Sequence, residues 1–128
     1  MKIGCVVQAR MGSTRLPGKS MLPLAGEPLI FRVLQRITRI QTIDQVILAT
    51  STLGRDDVLV QQAQRLGVSW VRGSESNVAD RYVLAIQEAE LDVVIRIPAD
   101  NYLTEPWAVE MLIEEHLKFR KGFTTNIM

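Results

Sequence analysis

Lys2-Ile3-Gly4-Cys5-Val6-Val7, followed directly by Gln8-Ala9-Arg10-Met11-Gly12-Ser13-Thr14-Arg15-Leu16-Pro17-Gly18-Lys19, is the stretch that decides the fold. The first part is apolar on both faces, which is the pattern of a central parallel strand covered on two sides. The second part gathers three cations (Arg10, Arg15, Lys19), two glycines and two hydroxyls in one loop at that strand's carboxyl end. In an open α/β sheet this is the edge where ligands bind. Amide groups freed by glycine, together with fixed cations, suit a polyanion such as a nucleoside triphosphate. The plainer reading is a basic surface loop with turn residues.

The loop is not a Walker A motif. That motif runs G-x-x-x-x-G-K-[ST], whereas Gly12 and Gly18 enclose five residues, one of them Pro17. Proline has no N–H to offer a phosphate. A G-x-G-x-x-G dinucleotide fingerprint is absent as well, so a P-loop NTPase is the weakest of the nucleotide-binding readings.

Outward from the loop, strands and helices alternate. Ile30, Val33, Leu34, Ile37 and Ile40 recur at helical spacing, predicting a helix over 28–43 with Pro28 at its first position. A turn is expected at 25–28. Gln45 to Thr50 reads as a second strand, with Thr50-Ser51-Thr52 bringing hydroxyls to the ligand edge. Asp56 or Asp57 is expected to cap or charge the next helix, which ends near Leu66 with Gly67 as its C-cap. Val68 to Val71 is a third strand, 78–90 a third helix, and 92–97 a fourth strand. A fourth helix is expected over 105–119, and 123–128 is read as the start of a further strand. Strict alternation implies a parallel sheet with right-handed crossovers. It brings the segments 8–19, 50–52, 72–80 and 98–101 to one edge.

The bulk properties agree. One hundred and twenty-eight residues suit one small domain, and 47% hydrophobic content suffices for a core. A formal charge of +1 gives no general case for nucleic acid. No apolar run approaches the ~18 residues of a membrane span, and the N-terminus lacks the anatomy of a signal peptide. Cys5, the one cysteine, reads as a buried small hydrophobe, which fits a cytoplasmic location. His116 has no partner in sequence and receives no role. Trp70 and Trp107 read as packing residues.

The run Val6-Val7-Gln8-Ala9-Arg10-Met11-Gly12-Ser13-Thr14-Arg15-Leu16-Pro17-Gly18-Lys19 resembles the opening signature of the sugar cytidylyltransferases. The closest branch is the one named after spore-coat polysaccharide biosynthesis; acylneuraminate and 3-deoxy-manno-octulosonate cytidylyltransferases are wider relatives. The resemblance implies a Rossmann-like, three-layer α/β/α nucleotidyltransferase fold of the nucleotide-diphospho-sugar transferase type. Its sheet is mostly parallel and ends after about four to five strands. Residues 1–128 would form one nucleotide-binding domain, incomplete at its C-terminus.

The same resemblance assigns roles. Ala9 and Arg10 match positions whose backbone holds cytosine, and Gly12, Ser13, Arg15 and Lys19 match triphosphate contacts. Arg72 to Tyr82 resembles a second signature near base and ribose, in which Arg72, Ser74, Asn77 and Asp80 are the binding candidates. Asn77 reads equally as a helix cap, and Asp80 with Arg81 as an exposed helix pair. Arg96 to Leu103 resembles a third signature, in which Asp100 matches the metal aspartate and Mg2+ is the expected cofactor. Arg15, Lys19 and Asp100 are thus the candidate catalytic groups. The third signature departs from the family pattern: Pro98 and Ala99 precede Asp100, and Tyr102 stands where a proline is usual.

The expected function is transfer of CMP from CTP to a sugar acid, releasing pyrophosphate, for cell-surface polysaccharide. The partners are CTP and the sugar acid, with neither nucleic acid nor membrane, and a homodimer is the expected assembly. Relatives of this kind are longer, so the chain reads either as a piece of a longer protein or as a half-length one. Two alternatives stay open: a nucleotide-binding or assembly module without turnover, and a nucleotidyltransferase for another NTP and a sugar phosphate.

Overall fold

The computed structural model describes residues 2–12, 18–74 and 78–98, together with 111, 113 and 114, the side chains of 78–80, 82 and 98 excepted. Strand β1 (Ile3–Gln8) is buried along nearly its whole length. A short hairpin, β2 (Pro23–Leu24) and β3 (Glu27–Pro28), leads into helix α1 (Leu29–Thr38). Then follow β4 (Gln45–Ser51), α2 (Asp57–Leu66), β5 (Ser69–Gly73), α3 (Val78–Ala89) and β6 (Val93–Pro98).

The main sheet has the order β5-β4-β1-β6, and each neighbouring pair is parallel. From β1 the chain steps outward through β4 to β5, then returns to the far side of β1 as β6. The order reverses between β1 and β6, which makes the gap above their carboxyl ends the topological switch point. Gln8 pairs with Ala49 on one side and Pro98 on the other.

Period-two burial distributes the sheet's side chains between two cores. Cys5, Val7 and Leu48 pack with Ile30, Leu34 and Ile37 of α1 and with Leu59 and Ala63 of α2. Val6, Ile47 and Ala49 pack with Ala85 and Ala89 of α3 and with Leu91. Helices therefore cover both faces, as expected of a three-layer α/β/α fold. Leu91 of the second core packs directly over Gly4: a Cβ there would lie 2.4 Å from Leu91 Cδ1, so any larger residue would have to displace that side chain. Ile113 joins the first core, in agreement with a fourth helix, and Met111, Ile113 and Glu114 are helical. The rest of the segment expected to be that helix, including Trp107 and His116, and the strand expected over 123–128 lie outside the described residues.

Several boundaries differ from the sequence expectation, each for a local reason. Pro28 belongs to β3, paired with Pro23, and precedes the helix. The tight turn is Ala25-Gly26, both at positive φ (53° and 86°), the pattern of a two-residue hairpin loop. Helix α1 stops at Thr38, not 43: the Arg39 N–H turns back to the Arg36 carbonyl at 3.3 Å and the Ile40 N–H to the Ile37 carbonyl at 3.0 Å, and Asp44 then joins the chain to the sheet. The Asp44 carboxylate accepts the Ile3 N–H at 2.7 Å, and the Asp44 N–H donates to the Ile3 carbonyl at 2.8 Å. Helix α2 ends as expected at Gly67 (φ 69°), where the Val68 N–H reaches the Ala63 carbonyl and the Gly67 N–H that of Gln64, a Schellman closure. Strand β5 continues two residues further than expected, taking in Arg72 and Gly73. Trp70, expected to pack, is 41% exposed on this edge strand.

Candidate functional site

The loop after β1 leaves the sheet with Ala9 still hydrogen-bonded to it, its N–H donating to the Ala49 carbonyl at 3.1 Å. Ala9 is buried and Arg10 is exposed. The Gly18 N–H donates to the Met11 carbonyl at 2.9 Å, so Met11 and Gly18 form a neck between the strand and the next turn. Gly18 has φ 76°, the left-handed conformation that glycine adopts without a steric penalty. Lys19 opens a 3-10 turn over Lys19–Met21, closed by bonds from Met21 N–H to the Gly18 carbonyl and from Leu22 N–H to the Lys19 carbonyl. Ser13, Thr14, Arg15, Leu16 and Pro17 lie outside the described residues.

The neck is held from below by a residue that sequence reasoning assigned to a helix cap. Asp56 precedes α2 but makes no side-chain cap bond, and it is 0% exposed. Its Oδ1 accepts the Met11 N–H at 2.8 Å, and its Oδ2 accepts the Ser51 hydroxyl. The Ser51 oxygen in turn accepts the Leu53 N–H at 3.1 Å. A carboxylate sealed from water needs such donors to offset its desolvation. The signal in sequence was an aspartate pair five residues beyond a strand end, and it gave no indication that the partner would be a backbone amide on another loop.

Of the three hydroxyls expected at the ligand edge after β4, two are sealed from it. Thr50 and Ser51 are both 0% exposed; Thr52 is exposed. Among the described residues Thr50 Oγ1 has no hydrogen-bond partner. Arg72 is half-buried and bound to protein: Nε donates to the Ser51 carbonyl at 2.7 Å, Nη2 to the Leu53 carbonyl at 2.9 Å, and Nη1 pairs with Asp57 Oδ1 at 2.9 Å. It clips the turn after β4 onto β5, reinforced by the Thr52 N–H on the Gly73 carbonyl at 3.2 Å. Ser74 is exposed just beyond β5. Asp80 falls in the first turn of α3, while Asn77 and Asp100 lie outside the described residues. Arg81 corrects the reading as an exposed pair: it is 0% exposed.

The parallel sheet thus brings Ala9, Arg10, Gly12, Gly18, Lys19, Arg72 and Ser74 to its carboxyl edge. Among the described residues no group of three or more His, Cys, Asp or Glu is placed to hold a metal ion. Asp56, the buried carboxylate at this edge, has both oxygens engaged and is closed to solvent. No helix among the described residues is long and apolar enough to cross a membrane.

Comparison with known proteins agrees with this geometry. The chain is 36% identical over 123 residues to the spore coat polysaccharide biosynthesis protein SpsF of Bacillus subtilis, covering 93% of this chain and 51% of that protein. A cytidylyltransferase from Leptospira borgpetersenii superposes with a TM-score of 0.89 at 32% identity, over 95% of this chain and 51% of the other. A CMP:2-keto-3-deoxy-manno-octonic acid synthetase solved in complex with CTP superposes at 0.80 and 30% identity, over 92% and 48%. The chain spans about half the length of each of these proteins. A sequence profile described as cytidylyltransferase matches residues 4–127, and on that match the chain belongs to the cytidylyltransferase family.

Proposed function

We propose that this chain is the nucleotide-binding half of an enzyme that transfers CMP from CTP to a sugar acid, with release of pyrophosphate, for cell-surface polysaccharide. The single observation that carries the reading is the loop from Arg10 to Lys19, pinned at its neck and rooted at the switch point of the sheet. In this reaction an acceptor oxygen of the sugar attacks the α-phosphorus, and the bond from that phosphorus to the bridging oxygen breaks. Negative charge grows on the departing pyrophosphate. Lys19, Arg15 and Arg10 are the cations we assign to offset it, and Gly12 and Ser13 to the phosphate oxygens. Fixed charges and amides act without reorganising, so positioning and electrostatics carry most of the rate.

We assign the base pocket to the backbone of Ala9 and Arg10, and the ribose side to Ser74, Asn77 and Asp80. Arg72 acts there through its hold on the turn after β4. Mg2+, when bound, supplies charge neutralisation at the triphosphate, and Asp100 is its carboxylate in this reading. Such an ion keeps waters and takes substrate phosphates, so one or two protein carboxylates suffice. Asp100 follows Pro98 by two residues, and Pro98 pairs with Gln8 at the root of the loop, which supports the assignment. The reading carries a cytoplasmic location and a homodimeric assembly with it.

Calorimetric titration of the chain with CTP and Mg2+ tests the proposal, beside a thermal-shift panel of all four nucleoside triphosphates. Selective stabilisation by CTP is expected. A folded chain that binds no triphosphate would overturn it. Preference for another triphosphate would point to the sugar-phosphate class of nucleotidyltransferase.

A further inference from the structure

Asp56 has no task in the reaction just described, yet it is a sealed carboxylate placed directly under the loop. Its two oxygens join two segments far apart in sequence: Met11 on the loop after β1, and Ser51 at the end of β4. The Met11 amide is therefore taken and is not a phosphate donor. On the carbonyl side of the same residue, Gly18 N–H closes the neck. Met11 is thus fixed through both its N–H and its C=O, and Gly18 through its N–H.

Behind Asp56 stands a second tier. Ser51 donates to Asp56 while accepting from Leu53 N–H, and Arg72 grips the Ser51 and Leu53 carbonyls from β5. Three strands' carboxyl ends are tied together in this way. A negative charge beside a polyanion site is unfavourable in itself, so its presence there calls for a positional gain.

We propose that Asp56 is the positioning residue of the phosphate loop: its carboxylate fixes the Met11 amide and so sets the conformation from which the loop meets the nucleotide's phosphates. The inference rests on the CTP-binding reading for its consequence, but the clamp itself can be observed without nucleotide. An uncharged asparagine keeps an acceptor for Met11 N–H and turns its amide toward Ser51, whereas alanine keeps neither.

The test measures hydrogen exchange at the Met11 amide by NMR, and the affinities for CTP and CMP, in the wild-type chain, Asp56→Ala and Asp56→Asn. The Met11 amide should be protected in the wild type and in Asp56→Asn, and should exchange freely in Asp56→Ala. CTP affinity should fall about tenfold or more in Asp56→Ala, with CMP affinity changed less than about threefold; Asp56→Asn should stay within about threefold of wild type for both. A merely structural role would move CTP and CMP together. Free exchange at Met11 in the wild type overturns the clamp, as does undiminished CTP affinity in a folded Asp56→Ala, or equal losses in the two variants. If Asp56→Ala does not fold, wild-type exchange and Asp56→Asn decide. If the wild type binds no CTP, the functional reading fails, and protection at Met11 still decides the clamp.

Discussion

Gly18 donates its backbone N–H to the carbonyl of Met11 at 2.9 Å, while holding a left-handed φ of 76°. A Cβ at Gly18 would meet only Met11 Cε at 3.5 Å, an ordinary contact, so space is not the constraint. The backbone angle is. Gly18→Ala should destabilise the chain by about 1 kcal/mol through the left-handed conformation alone and should weaken CTP binding by displacing Lys19. Urea denaturation and calorimetry read the two effects. An alanine variant as stable as the wild type would contradict the assigned backbone conformation.

Lys19 follows that neck at the start of a 3-10 turn. Its ammonium is assigned to the triphosphate, not to the base. Lys19→Ala should reduce CTP affinity about tenfold, equivalent to about 1.4 kcal/mol, and leave CMP affinity nearly unchanged. Equal weakening of both ligands would remove Lys19 from the phosphate site.

Thr50 and Ser51 are adjacent, both fully buried, and should respond oppositely to loss of their hydroxyls. Thr50 Oγ1 lacks a partner among the described residues, so Thr50→Val removes a buried polar group that gains nothing. Stability should hold or rise by up to about 1 kcal/mol. Ser51→Ala strips Asp56 of a donor and Leu53 of an acceptor, and should lower stability by about 1–3 kcal/mol. Chemical denaturation midpoints at constant m-value compare them directly.

Glu27 and Arg65 join the β2–β3 hairpin to α2 through a 2.8 Å ion pair, with the guanidinium also 4.3 Å from the centre of the Phe31 ring. The Arg65 hydrogen bond holds the Glu27 carboxyl below its ordinary 4.5. A carboxylate whose folded-state value is depressed adds stability above the unfolded value, and that contribution disappears as pH falls through the folded value. The thermal midpoints of wild type and Glu27→Gln should therefore differ by a constant small amount at neutral pH. They should converge as pH drops below 4.5. The pair is exposed, so the difference should also shrink in high salt. A gap that persists in acid would assign the effect to packing on Phe31.

Much of the architecture was legible in the sequence because its causes are local. The unbroken apolar run from Ile3 to Val7, the three-and-four spacing from Ile30 to Ile37, and the glycine after Leu66 each encode their own element. The alternation of strand and helix then implies a parallel sheet, and a parallel sheet gathers its loops on one edge. The hairpin at Pro23 to Pro28 was legible only as a turn, since strands of two residues leave no period to read.

What the chain determines unaided is therefore the sequence of elements, the two apolar faces and the cationic loop at the first strand's end, because spacing and turn chemistry act between neighbours along the backbone. Only the folded arrangement decides that Asp56 serves Met11 in place of its own helix, that Arg72 is bound to Ser51, Leu53 and Asp57, and that Arg81 is buried. Those choices depend on which strand ends become neighbours. A buried charge takes whatever donor the fold sets beside it, and that neighbour is distant in sequence.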